Sequence, residues 1–98
     1  MIYTREEIKR RLTPVFQRYG IKKAVLFGSY SKGTATDSSD VDIMVDSRLR
    51  GLSFVGLIED IRESLNDKNV DLLDVSHIEK NSRVEKEIQK TGVSIYEE

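Results

Sequence analysis

An apolar run that stops at Gly28-Ser29, followed ten residues later by Asp40-Val41-Asp42, restricts this chain more than any other feature. In Asp40-Val41-Asp42-Ile43-Met44-Val45-Asp46 the apolar Val41, Ile43 and Val45 alternate with the other positions, as a strand with one buried face requires. Asp40 and Asp42 then project the same way. Two residues along a strand advance about 6.5 Å, so their carboxylates can lean onto hard cations between them, whereas a helix would turn them apart. Upstream, Lys23-Ala24-Val25-Leu26-Phe27 reads as a buried strand giving way to a turn whose bare backbone at Gly28 can approach a phosphate closely. Ser29 adds a hydroxyl donor, Tyr30 to Gly33 can form a short helical turn with amides facing the same anion, and Lys32 can supply charge. The stretch reads as a phosphate-and-metal site.

At 98 residues the chain is expected to be a single domain, 1–98, with one modest core. Its formal net charge of -1 offers a nucleic-acid backbone no overall attraction, so stable polynucleotide binding is not expected. The absence of cysteine excludes disulfides and thiolate metal sites and is compatible with a reducing compartment. No apolar run is long enough to span a bilayer, and Met1 to Gly20 is charged and amphipathic, unlike a signal peptide. A cytoplasmic protein with no membrane association is the expectation.

Around the motif, Thr4-Arg5-Glu6-Glu7 fits a capping box, with Ile8, Leu12, Val15, Phe16 and Tyr19 at helical spacing and Gly20 placed to end the helix. Pro14 either kinks this helix or starts a second one capped by Thr13. The basic cluster of Arg5, Lys9, Arg10, Arg11, Arg18, Lys22 and Lys23 reads as its solvated face. Ser53 is expected to cap a helix burying Phe54, Leu57, Ile58, Ile61 and Leu65. After a turn at Asn66 to Asn69, Val70 to Val75 reads as a mostly buried third strand that carries carboxylates into the interior, with Asp74 pointing away from Asp71 if the strand alternates. Ser76 to Lys90 is expected to be mainly helical with Ile78, Val84 and Ile88 inward, and Gly92 to stop it before an edge strand at Val93 to Tyr96. The order predicts an α/β fold, a small mixed β-sheet with helices packed on it.

An isolated Asp-x-Asp is usually just a solvent-facing strand. Here the Gly-Ser turn after a buried strand, the fixed gap and a further carboxylate on a later apolar strand favour a functional site. A Walker-type loop is excluded, because Thr34-Ala35 follows Gly33 where that loop needs Lys-Ser or Lys-Thr. His77, the only histidine, reads as a cap or surface residue. Tyr3, Tyr19, Tyr30 and Tyr96 read mostly as core or rim residues, although Tyr30 lies in the site loop, within reach of a nucleotide.

Gly28-Ser29, Asp40-Val41-Asp42 and Val70-Asp71-Leu72 together resemble the nucleotidyltransferase superfamily that includes DNA polymerase beta, and in size and extent the chain is most similar to its minimal nucleotidyltransferases. The resemblance implies a polymerase beta palm-like fold. It implies that Asp40 and Asp42 hold two magnesium ions, that Asp71 completes the first metal site, and that Gly28 and Ser29 bind the triphosphate of ATP. Where the family often has Ala-Arg this chain has Ser31-Lys32, so Lys32 would serve phosphate as a point charge without the bidentate fork.

The chemistry so implied is attack of a hydroxyl on an α-phosphorus, assisted by the three carboxylates Asp40, Asp42 and Asp71. Asp71 can also take the acceptor proton. Crowding the carboxylates should raise some of their pKa values in the absence of metal. A chain this short has no second wall for an acceptor, so a partner must present it. Many minimal nucleotidyltransferases are antitoxins paired with helical HEPN-type toxins, and some transfer AMP to a toxin tyrosine. The resemblance therefore implies AMP transfer from ATP to a partner HEPN-type toxin. Two alternatives stay open: a non-catalytic antitoxin that covers its partner, and a nucleotidyltransferase subunit acting on a small molecule with a helical partner.

Overall fold

The computed structural model describes residues 2–98. Helix α1, Arg5–Arg18, starts as expected: the Thr4 hydroxyl accepts from the Glu7 amide and the Glu7 carboxylate accepts from the Thr4 amide. It ends in a Schellman turn, with the Ile21 amide reaching the Phe16 carbonyl at 3.0 Å and Gly20 at a φ of 67°. Pro14 lies inside this helix, so no second helix starts at Thr13; the Thr13 hydroxyl instead donates to the Lys9 carbonyl at 2.7 Å.

The remaining elements are β1 Lys23–Phe27, α2 Ser29–Lys32, β2 Val41–Asp46, α3 Leu52–Ser64, β3 Val70–Asp74, a 3-10 turn Val75–His77, α4 Arg83–Thr91 and β4 Val93–Glu97. The strands form one mixed sheet in the order β3-β2-β1-β4, with β2 and β3 parallel and the other pairs antiparallel. Val41, Ile43 and Val45 leave β2 on one face and join Ile8, Leu12, Phe16, Leu57 and Ile61 in the core under α1 and α3. Tyr19 and Arg18 tie these two helices together through Asp60, at 2.6 and 3.0 Å. The opposite face carries Asp42, Met44 and Asp46, and α4 covers only part of it. Burial alternates residue by residue along β2, which is the signature that the Val-x-Ile-x-Val pattern predicts.

Three expectations require correction. Helix α3 is capped at Gly51, with no side-chain cap, and Ser53 is one of its residues. Strand β3 is an edge strand with Asp71 exposed, because only β2 flanks it; Asp74 alone of its carboxylates is buried. Ser76 to Lys90 is not one helix: the 3-10 turn and an irregular stretch precede α4, whose Val84 is exposed and whose residues are nowhere fully buried. A helix that leaves half a sheet face open has less apolar surface to bury. No helix among the described residues is long and apolar enough to cross a membrane.

Candidate active site

Strand β1 delivers the chain into Gly28, whose φ of 73° and ψ of -150° suit glycine and strain any residue with a Cβ. A Cβ at this position would also collide with the Asp42 carboxylate, because Phe27 pairs with Asp42 across the β1–β2 ladder. Gly28 thus places bare backbone directly against Asp42. The turn continues as α2, in which the Gly28 carbonyl accepts from the Ser31 and Lys32 amides at 3.2 and 3.1 Å, and Gly33 closes it in the left-handed region. The Gly28 amide itself donates to Thr91 Oγ1 at 3.0 Å. What Gly28 offers is therefore space, and the amides that the helical turn leaves unbonded are those of Ser29 and Tyr30.

Asp42 is the register partner of Asp71 in the parallel β2–β3 pair, so the two side chains leave the same sheet face from strands about 4.8 Å apart. Asp40 precedes β2 and is exposed, as is Asp71, while Asp42 is half-buried between them. Burial, then the negative charges of Asp71, Asp40 and Glu87, push the Asp42 carboxyl up to about 6. The crowding expected from the sequence contributes to this rise, but burial is its first cause. Asp40, Asp42, Asp71, Gly28 and Ser29 are thus brought together at one end of the sheet.

Lys32 is turned toward α4, with its Nζ 3.7 Å from Glu87 Oε1. Tyr30 is only 3% exposed, so it is a core residue and does not line the mouth of the site. Its ring lies beneath Lys68, 5.6 Å from Nζ. His77 is exposed at the far end of the strands, where it lines a groove of about 760 Å³ with Arg48, Arg50 and Phe54. Glu87 and Thr91 went unmarked in the sequence. Each sits on α4, 45 or more residues beyond Asp42 in the chain, and neither residue type nor spacing announces the contact.

Among the described residues no three His, Cys, Asp or Glu side chains converge tightly enough to hold a metal ion by themselves. The donor set nonetheless fits a hard cation: carboxylate oxygens only, one of them pushed up to about 6 first by burial and then by its like-charged neighbours. Oxygens from a bound triphosphate would complete such coordination.

Residues 10–98 match the family model described as polymerase beta, nucleotidyltransferase. A provisionally named protein adenylyltransferase of Methanocaldococcus jannaschii is 36% identical over 75 residues, covering 74% of this chain and 78% of its own. Protein adenylyltransferase MntA of Thermococcus cleftensis is 37% identical over 75 residues, covering 71% and 76%. The chain belongs to the polymerase beta-type nucleotidyltransferase family, as the motif led us to expect. Among solved structures, a chain of a toxin-antitoxin complex with AMP-PNP superposes with a TM-score of 0.75 at 25% identity, over 92% of this chain and 73% of that one. A chain of the complex between a tri-AMPylated Shewanella oneidensis HEPN toxin and its MNT antitoxin gives 0.69 at 21% identity, over 97% and 74%, a likeness of fold.

Proposed function

We propose that this chain transfers AMP from ATP to a tyrosine hydroxyl of a helical HEPN-type toxin and so acts as the antitoxin of that pair. The observation that carries the reading is the meeting of Asp42 with Asp40, Asp71 and the bare backbone of Gly28. Protein adenylyltransferases among its relatives, and fold neighbours solved with AMP-PNP or with an AMPylated HEPN toxin, support the choice of nucleotide and acceptor. The formal charge of -1 favours a protein acceptor over a polynucleotide.

In this reading Ser29 and Lys32 hold the triphosphate and Gly28 leaves room for it. Asp40, Asp42 and Asp71 hold two magnesium ions, which would offset the charge that develops on the entering and leaving oxygens. The tyrosine oxygen attacks the α-phosphorus, the bond to pyrophosphate breaks, and the phenolic proton passes to Asp71. The 98 residues act as one nucleotidyltransferase unit, in the cytoplasm. Asp71 is exposed on an edge strand, open to an acceptor from outside.

The test is mass spectrometry of a small helical HEPN-type protein that forms a complex with this chain, after incubation with the chain, ATP and magnesium. An added AMP that disappears with Asp40→Asn is the expected result. A toxin silenced in complex without modification would replace transfer by simple covering.

A further inference from the structure

We infer that Thr91, at the end of α4, is a positioning residue that fixes Gly28 at the entry to the turn and so steadies the Gly28-Ser29 turn for the triphosphate. The inference rests on the proposed reading of the site and extends it to a residue outside the motif. The Thr91 hydroxyl has one proton, and that proton goes to the Glu87 carbonyl at 2.8 Å. Its oxygen must therefore act as acceptor toward the Gly28 amide, at 3.0 Å. The Thr91 carbonyl in turn accepts from Ser31 Oγ. One residue thus grips the turn at both of its ends.

The consequence follows from peptide geometry. The Gly28 amide is held toward α4 by Thr91, and the Gly28 carbonyl is held toward α2 by the Ser31 and Lys32 amides. In a planar trans peptide the Ser29 N–H points opposite to the Gly28 carbonyl, so fixing that carbonyl aims the Ser29 amide out of the turn. Without the Thr91 bond only the carbonyl side of Gly28 is held, and the wide conformational range of glycine would let the Phe27-Gly28 peptide rotate against the turn. The grip requires α4 to lie close on β1, and Gly92 permits it: a Cβ there would meet the Ile88 carbonyl and come within 2.9 Å of Val25 Cγ1.

The decisive comparison is Thr91→Val, which keeps the shape and loses the acceptor, against Thr91→Ser, which keeps the acceptor. Hydrogen exchange of the Gly28 amide, read by NMR without nucleotide, should speed up at least tenfold in Thr91→Val and remain near wild type in Thr91→Ser. Calorimetric titration with magnesium-ATP should show affinity weakened roughly tenfold in Thr91→Val only, and KM for ATP should rise by more than kcat falls. Unaltered Gly28 exchange or unaltered ATP affinity in a folded Thr91→Val overturns the inference. So does a folded Thr91→Ser variant whose own magnesium-ATP affinity falls tenfold or whose Gly28 amide exchanges tenfold faster than wild type, a result that needs no folded Thr91→Val. Wild-type protein that binds no magnesium-ATP would instead overturn the parent reading of the site, while the exchange experiment still decides whether Thr91 holds the turn.

Discussion

Strands β2 and β3 carry buried or half-buried carboxylates at both ends, and the two ends are built on opposite principles. At one end Asp42 faces Asp71, Asp40 and Glu87, and burial among like charges raises it to about 6. At the other, burial would raise Asp74 too, yet it accepts from the hydroxyls and amides of both Ser76 and Ser47 and is held down at about 2. Asp74 is only 4% exposed and its oxygens are spoken for. The four hydrogen bonds staple the β2–α3 connection to the 3-10 turn. A carboxylate supplied with donors is a structural part, whereas one surrounded by acceptors is an acid held in readiness for something positive.

The largest effect expected from this contrast is on transfer. Asp40→Asn or Asp42→Asn should lower AMP transfer by at least a thousandfold, on the order of what removal of a group acting only in the transition state costs. Without metal, Asp42→Asn should keep or raise the thermal midpoint at pH 7, since a repelled charge is removed. Full activity in Asp42→Asn would dissolve the distinction between the two ends. Asp74→Ala should do the reverse. It leaves four donors without their acceptor and should cost about 3 kcal/mol of stability by denaturant titration, with magnesium-ATP affinity preserved in the folded fraction.

The same contrast sets two pH windows of opposite sign. Asp42 has a folded pKa of about 6, above the unfolded value near 4, so the native state binds the extra proton and stability declines as pH rises from about 4 to about 6. Asp74 has a folded pKa of about 2, below the unfolded value, so its contribution is complete above about pH 4 and is lost as pH falls toward 2. Unfolding titrations across pH should show Asp42→Asn removing the first slope and Asp74→Asn the second. An unchanged slope between pH 4 and 6 in Asp42→Asn would mean that Asp42 is not the crowded group.

How legible this was depends on the range of the interactions. The β2 alternation, the Thr4 to Glu7 box and the Gly20 terminus are written within a few residues of where they act, and each could be read directly. Asp40, Asp42 and Gly28 were legible for the same reason, as parts of one local pattern. Burial of β3 was not, because whether a strand is central or at an edge depends on sheet order, and β3 has a neighbour on one side only. Ser53 has the residue type of a cap, but the chain enters α3 through the left-handed Gly51. Thr91 and Glu87 meet the motif only after β4 pairs with β1 and draws α4 across the open face.

The smallest expected effect concerns Glu87, the one member of the crowded end that comes from outside β2, β3 and the residue before β2. It lies furthest down the causes that raise Asp42, behind burial, Asp71 and Asp40, and part of its charge is already answered by Lys32 at 3.7 Å. Glu87→Gln should therefore lower the Asp42 pKa by less than Asp71→Asn does, as read from the carboxyl carbon shift in an NMR titration. Both side chains of the Lys32–Glu87 pair are substantially exposed, so its loss should change stability by less than about 1 kcal/mol, and high salt should shrink even that. Freed of Glu87, Lys32 has only the triphosphate to answer, and magnesium-ATP affinity should hold or improve. A Glu87→Gln variant that lowered the Asp42 pKa more than Asp71→Asn would shift the source of the crowding from the sheet to α4, and with it the origin of the difference between the two ends.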